Sequence, residues 1–114
     1  MPYLIVTYDK PDHGRLRQQT RPEHLTFLES NKAKLLACGA KLDDLGASAS
    51  GGIYILDTED RQNAESFIAD DPFTKAGLFE RVEISRWRKA YFNFVNCLPR
   101  PKDGTLIELD AKCS

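Results

Sequence analysis

The sequence predicts one small α+β domain, in which an antiparallel β-sheet carries two helices on one of its faces. The chain has 114 residues, a length that suits one domain with a single core. Its hydrophobic fraction of 41% and its charged fraction of 29% are ordinary for a folded globular protein. Segments with the hydrophobic patterns of strands and helices follow each other in the order β-α-β-β-α-β. Together these observations predict the α+β class.

The first predicted elements are a strand over residues 3–8 and a helix that begins near residue 20. The strand segment is apolar and rich in side chains that favour β-structure. Residues 20–23, Thr-Arg-Pro-Glu, fit a capping box. Alternatively, Pro22 occupies the first helical position, which makes Arg21 the cap. Either start places His24 in the first turn of the helix.

This helix is expected to have one apolar face and a glycine at its end. The leucines that recur at helical spacing and should face the sheet are Leu25, Leu28, Leu35 and Leu36. Gly39 is expected to end the helix in a left-handed conformation. A weakly patterned strand then covers residues 41–49, and residues 51–52, both glycine, provide a turn or a close backbone approach.

The second half of the chain contains two predicted strands separated by a helix. Residues 53–56 form a buried strand, and the helix is expected from about residue 60 to residue 69. Its core-facing side chains are Ala64, Phe67 and Ile68. Pro72 must end this helix, because a proline pushes the residue before it, Asp71, out of the helical region. Pro72 then starts a short helical turn. The last core strand covers residues 79–94, where apolar and polar side chains alternate.

The order β-α-β-β-α-β is the split βαβ arrangement of a ferredoxin-like fold. Both helices of such a fold cover the same face of the sheet, so the other face stays open. An apolar sheet face does not remain exposed to water, and a homodimer that pairs two sheets is therefore expected. We expect Tyr3, Ile5, Ile55 or the strand of Trp87 at this contact.

The composition of the chain changes after residue 94. We therefore expect the ferredoxin-type domain to span residues 1–94 and residues 95–114 to form a C-terminal extension. A linker rich in proline and charge covers residues 99–104. The alternating segment 106–109 predicts a short strand that extends a sheet edge or crosses to the partner subunit.

Charge and cysteine content argue against several classes of protein. The chain has 16 Lys and Arg against 17 Asp and Glu, for a net charge of -1, whereas nucleic-acid binding needs surplus cations. No apolar run approaches the ~20 residues that span a bilayer, and the N-terminus lacks signal-peptide features. The scattered cysteines, Cys38, Cys97 and Cys113, predict reduced thiols in a cytoplasmic protein.

Several short motifs together resemble the YCII-related family. They are Arg21-x-x-His24-Leu25-x-x-Leu28, Gly39, Gly52-Ile53-Tyr54-Ile55, Asp70-Asp71-Pro72-Phe73 and Lys75-Ala76-Gly77-Leu78, with Trp87 at the end. Each motif is short, and their order and separation make the resemblance specific. It runs from the first strand to about Trp87, and it implies a dimeric α/β barrel built from ferredoxin-like subunits.

The resemblance also implies a His–Asp pair in a cleft, which falls on His24 and Asp71. The wider superfamily includes muconolactone isomerases and other small enzymes that act on aromatic breakdown products. Some members of the family are associated with dehydrochlorination of chlorinated hydroxyquinols. Where the family commonly has a Gly-Ser pair at the start of the third strand, this chain has Gly51-Gly52. The hydroxyl of that serine is therefore missing here.

The same residues support a chemical prediction. A histidine in the first turn of a helix is kept neutral by the positive end of the helix dipole, and a carboxylate such as Asp71 fixes its tautomer. A base oriented in this way can abstract a proton. Arg21 and the free N–H groups of the helix start can hold an oxyanion or a carboxylate, and Phe73 and Leu78 are expected to form an apolar wall. Asp70 is the alternative carboxylate, although only Asp71 precedes proline.

The leading functional prediction is a small enzyme without a cofactor that moves a proton on a small aromatic or lactone-like molecule, as an isomerase or a lyase. The sequence contains no dinucleotide, phosphate-loop or metal-ligand motif, and it predicts no metal. The alternative is a non-catalytic module for metabolite binding or dimerisation, because an Asp-Pro pair alone is most often a turn. The two differ in whether His24 lines an open pocket or lies buried beneath Trp87 and Phe73.

Overall fold

A computed structural model describes residues 1–98 of the chain. Its helices and strands, in chain order, are β1 (Tyr3–Asp9), α1 (Gly14–Ser30), β2 (Leu35–Leu42), β3 (Ala49–Leu56), α2 (Arg61–Asp70), α3 (Pro72–Lys75), β4 (Phe79–Arg86), β5 (Tyr91–Phe92) and β6 (Val95–Asn96). A single 3₁₀ turn, Lys32–Lys34, leads from α1 into β2. The main elements follow the predicted order, and the α+β class is confirmed.

The four long strands form one antiparallel sheet in the order β2-β3-β1-β4, as the ferredoxin-like prediction requires. Side chains of a strand alternate between its two faces, and the inward face of β1 carries the most buried ones. The buried hydrophobic cluster consists of Tyr3, Ile5, Tyr54, Leu56, Ala64, Phe67 and Ile68. Phe27 and Leu28 of α1 pack against this cluster, so both long helices cover the same face.

The opposite face of the sheet carries the side chains that alternate with the buried ones along each strand. Leu4 and Val6 of β1 stand beside Ile55 and Ile53 of β3, and Ile53 is 40% exposed. The predicted dimer contact needs a correction, because Tyr3 and Ile5 point to the helix side and are buried there. Ile55 does lie on the open face, so an expected homodimer would bury Leu4, Val6, Ile53 and Ile55.

Helix α1 begins at Gly14, well before the predicted start near residue 20. Pro22 lies inside the helix, where it provides no N–H for the carbonyl one turn earlier. The capping-box and proline-start predictions are therefore both wrong. The residues from Gly14 to Gln19 are mostly polar and give no apolar periodicity, so the sequence pattern did not indicate a helix over them.

The same helix ends at Ser30, and the predicted apolar face is correct only in part. Leu35 and Leu36 belong to β2, and Gly39 lies inside this strand rather than at a helix end. Residues 35–42 pair with β3. Their conformation is therefore set by strand pairing, although the leucines among them have helical spacing in the sequence. Leu25 is on α1 but is 42% exposed.

The predictions for the second half are mostly correct. Helix α2 presents the buried side chains of Ala64, Phe67 and Ile68, as expected. Strand β4 ends at Arg86, and β5 and β6 form a separate hairpin, so a single strand to residue 94 is wrong. None of the helices in residues 1–98 is long and apolar enough to cross a membrane.

Two predictions concern the end of the chain. The proposed strand at residues 106–109 lies outside the described residues, and the division of the chain after residue 94 stays a prediction. The expectation of three reduced thiols is wrong, because Cys97 is disulfide-bonded. Cys38 is a free thiol.

Candidate functional site

Helix α1 brings Arg17, Arg21 and His24 to one side of the protein. These residues are four and three positions apart, a spacing that places side chains on the same helix face. His24 lies in the middle of the helix, so the expectation of a first-turn histidine is wrong. The free N–H groups and the positive end of the helix dipole act only within the first turn. His24 is therefore positioned by side chains, and its chemistry must follow from them.

Asp71 is positioned by the break between α2 and α3. It adopts an extended conformation (φ -63°, ψ 130°) directly before Pro72, as the proline predicts. Its side chain caps α3 by accepting a hydrogen bond from the backbone N–H of Phe73 at 2.9 Å. The residue is fully buried, and the turn therefore holds a carboxylate inside the protein.

The His24 and Asp71 side chains are in direct contact. Nδ1 of His24 lies 2.9 Å from Oδ1 of Asp71, and the hydroxyl of Tyr54 donates to the other carboxylate oxygen, Oδ2, at 2.9 Å. A buried carboxylate requires such donors. When Asp71 is ionised, its oxygens only accept hydrogen bonds, and the proton of this contact then belongs to Nδ1 of His24. The opposite nitrogen, Nε2, is then free to act as the base when the ring is neutral.

Aromatic rings hold the imidazole of His24 in place. The ring stacks on Phe73 with centroids 4.0 Å apart and 18° between the planes, and Tyr54 meets it edge-on at 6.3 Å. Trp87 contacts Phe92 instead. His24 is thus supported on one side by Phe73, and it is not covered by Trp87.

His24 lines a cavity of about 520 Å³ between α1 and strands β2 and β3. The other residues of α1 in its wall are Arg17, Arg21, Leu25, Leu28 and Glu29, and Lys32 of the following 3₁₀ turn joins them. Lys32 forms an ion pair with Glu29 at 2.8 Å. The Arg21 side chain lines the cavity and has no hydrogen-bond partner within residues 1–98; its predicted binding role stays a prediction. The cavity wall therefore carries more positive than negative charge.

Two other predicted residues lie behind the site rather than in its wall. Phe73 and Leu78 are almost completely buried, and neither lines the cavity. Asp70, the alternative carboxylate, is exposed at the end of α2. It lines a separate cavity of about 370 Å³ between the C-terminal part of α1 and α2. The structure thus pairs His24 with Asp71 and leaves Asp70 away from it.

Sequence reasoning missed Tyr54, Cys38 and Arg17. Burial, followed by the charge of Asp71 and the hydrogen bond to it, strongly raises the pKa of the Tyr54 hydroxyl, which therefore stays protonated and donates. Cys38 lies in the cavity wall, and partial loss of hydration there, followed by the charge of Asp71, raises the pKa of its thiol to about 11. Tyr54 could have been found, because it alternates with Ile53 and Ile55 and a buried tyrosine hydroxyl needs a partner.

The two consecutive glycines of β3 border the same cavity. A Cβ atom at Gly51 would collide with the carbonyl oxygen of Thr7, whereas one at Gly52 would lie 3.3 Å from the carbonyl oxygen of Gly39. The predicted close backbone approach is therefore present at Gly51. Residues 1–98 contain no group of three or more His, Cys, Asp or Glu side chains placed to hold a metal ion.

Comparison with known proteins gives one family and several relatives. The family model of the YCII-related domain matches residues 1–88. Protein YciI of Escherichia coli O6:H1 is 30% identical over 98 residues, which cover 80% of this chain and 100% of that protein. An uncharacterised protein of Haemophilus influenzae matches with the same identity and coverage.

A solved structure with similarity in both sequence and fold is that of an enzyme. It is the 5-chloro-2-hydroxyhydroquinone dehydrochlorinase of Burkholderia phenoliruptrix, in complex with 2,5-dihydroxybenzoquinone. Its identity with this chain is 35%, with a TM-score of 0.70, and the match covers 77% of this chain and 94% of that one. A match of this extent agrees with the ferredoxin-like fold. It also shows that one of the proteins similar to this chain is an enzyme.

Proposed function

The chain belongs to the YCII-related domain family, and from this premise we propose that it is a lyase or isomerase that moves a proton on a small aromatic-derived molecule without a cofactor. The observation that carries the proposal is the buried contact between His24 and Asp71 beside an open cavity. A base held by a carboxylate and facing a cavity is an arrangement suited to proton abstraction. The dehydrochlorinase among the similar structures favours elimination over isomerisation.

In the proposed reaction, Nε2 of His24 takes a proton from the bound molecule, and the ring becomes an imidazolium. Asp71 stabilises this charge through Nδ1, while the hydrogen bonds from Tyr54 and Phe73 keep the carboxylate fixed. In an elimination the electron pair expels a leaving group such as chloride. In an isomerisation the proton returns to another carbon. A positioned acid–base group of this kind contributes about 10²- to 10⁴-fold to the rate.

Substrate binding is assigned to the cavity wall. Arg21 is the proposed cation for an acidic group, since its side chain reaches the cavity without a hydrogen-bond partner within the described part of the chain. Phe73 supports the imidazole from behind, and Leu78 contributes to the core beneath the site. Phe73 thus acts on the base, and Leu78 supports the fold.

The proposal is tested with 5-chloro-2-hydroxyhydroquinone under anaerobic conditions, with chloride release as the measurement. We expect the wild-type chain to release chloride and His24→Ala to abolish the release. The matched control is His13→Ala, because His13 lies outside the cavity wall. Full activity of His24→Ala would refute the assignment. A folded wild-type chain that binds the compound and never releases chloride would favour the alternative, a non-catalytic metabolite-binding module.

A further inference from the structure

Arg17 is the most firmly held cation in the cavity wall. Its Nε donates to Oδ2 of Asp9 at 2.7 Å, and its Nη2 donates to the carbonyl oxygen of Gly51 at 3.0 Å. The guanidinium carbon lies 4.7 Å from the centroid of the Phe73 ring. Only 13% of the side chain is exposed. Three elements of the fold therefore fix the position of this charge.

These contacts leave part of the guanidinium unused. An arginine has five N–H donors in a fixed fork, and Asp9 and Gly51 each occupy one nitrogen. Within residues 1–98, Nη1 of Arg17 has no hydrogen-bond partner, although the side chain borders the cavity. A charge that is largely removed from water interacts more strongly with an opposite charge than an exposed one does. Arg17 is thus a preorganised receptor for negative charge.

The position of Arg17 relative to His24 fits a single small ligand. The guanidinium of Arg17 and the imidazole of His24 both contact the ring of Phe73. The two groups are therefore at most the width of one aromatic ring apart. Arg21 lies between the two residues on the same helix face. An oxygen bound at Arg17 would therefore belong to the molecule whose proton His24 removes.

We propose that Arg17 holds a negatively charged oxygen of the substrate, and that the cavity selects small aromatic oxyanions, such as carboxylates and ionised phenols, over neutral molecules of the same shape. This inference rests on the proposed function, since both use one cavity. Beyond the cation already proposed at Arg21, it adds a second one, Arg17, whose position the fold fixes, and the selection of charged over neutral molecules. The planar fork of arginine suits such oxygens because it can donate two parallel hydrogen bonds.

Benzoate and benzamide provide the test, because they have nearly the same shape and differ in charge. Their dissociation constants are measured at pH 7 by amide chemical-shift titration of the intact chain. We expect benzoate to bind at least tenfold more tightly than benzamide. Arg17→Gln should weaken benzoate binding by about tenfold to a hundredfold, the range for a hydrogen bond to a charged group, and leave benzamide binding unchanged. Arg15→Gln is the matched control, since Arg15 is exposed on the same helix and lies outside the cavity wall.

Additional variants separate recognition from folding. Arg17→Gln leaves Asp9 buried without its cation, so the double variant Asp9→Asn/Arg17→Gln must show the same loss of benzoate affinity. Asp9→Asn alone, which keeps the arginine, must retain binding. Equal affinity for benzoate and benzamide, no benzoate binding at millimolar concentration, or wild-type affinity in Arg17→Gln would each overturn the proposal. Since no turnover is measured, absence of chloride release would count against the proposed reaction alone.

Discussion

Replacing Asp71 by asparagine tests how much the buried carboxylate contributes to the site. The carboxylate accepts three hydrogen bonds, from His24, Tyr54 and the backbone of Phe73. Asparagine has nearly the same shape, and its carbonyl oxygen can take the place of Oδ1 and retain the cap of α3. Its amide group then faces the Tyr54 hydroxyl, which can rotate and accept instead. The variant should therefore fold, with the negative charge removed.

The expected cost follows from these three bonds. A hydrogen bond to a charged group contributes about 1.5–3 kcal/mol and a neutral one about 0.5–1.5 kcal/mol, so each bond loses roughly 1 kcal/mol. Removing a buried charge also removes its desolvation cost, which offsets part of this loss. We expect the free energy of unfolding to fall by about 1–3 kcal/mol, which is less than the typical stability of about 5–15 kcal/mol.

Urea unfolding measures the stability, and ¹⁵N spectra of the imidazole rings measure the effect on the site. The chain has two histidines, so removing His13 in a reference variant assigns both signals. In the wild type we expect neutral His24 to carry its proton on Nδ1. In Asp71→Asn the neutral, weaker acceptor favours this tautomer less strongly and no longer offers a negative charge to the imidazolium. Chloride release should therefore fall sharply.

Asp70→Asn is the matched control, since it makes the same chemical change at the neighbouring exposed position. It should preserve both the stability and the His24 spectrum. If Asp71→Asn also kept the wild-type stability and the Nδ1–H tautomer, the carboxylate would not be what orients the ring. The proposed role of Asp71 would then be wrong, whatever the activity of the variant.

Two further predictions concern other parts of the molecule. The pKa of the Cys38 thiol is raised to about 11, so only roughly one thiol in a thousand is ionised at pH 8. Cys38 should therefore react with a disulfide reagent far more slowly in the folded chain than in the urea-unfolded chain. Equal rates in the two states would contradict the raised pKa. We expect two chains to form a homodimer through their open sheet faces, so Ile53→Asp should be a monomer in sedimentation. The control Leu45→Asp, at a loop position that is 91% exposed, should remain a dimer. A monomeric wild type would refute the dimer.

The fold could be predicted where local pattern and tertiary packing agree. Residues 53–56 and α2 have apolar side chains in the spacing of their own structure, and Pro72 fixes its neighbourhood by sterics alone. Residues 35–36 have a helical relation to Leu28 in sequence, yet they pair with β3. Pairing partners are distant in the chain and cannot be read from a local window. The polar start of α1 was missed because it has no apolar pattern that would indicate a helix. Arg17, rather than leucine side chains, makes the contacts between this part of the helix and the rest of the protein.

The candidate site divides in the same way. The backbone of Asp71 follows from the proline after it, whereas the pairing of Asp71 with His24 was indicated only by the family resemblance, because 47 positions separate them. Strand alternation could have identified Tyr54 as a buried hydroxyl. Arg17 could not be found from the sequence, because its importance depends on Asp9, Gly51 and Phe73 meeting around it.

The distribution of charge around His24 explains why one histidine is enough for the proposed reaction. Asp71 lies on the protein side of the imidazole and cannot leave, since Tyr54 and α3 hold it. Arg17 and Arg21 lie on the cavity side. When His24 takes a proton, the positive ring gains a fixed negative partner behind it, and the negative charge left on the substrate faces Arg21 and Arg17, of which the fold holds Arg17 in place. Both charges formed in the step therefore meet preorganised partners, which is the condition under which electrostatic stabilisation lowers a barrier.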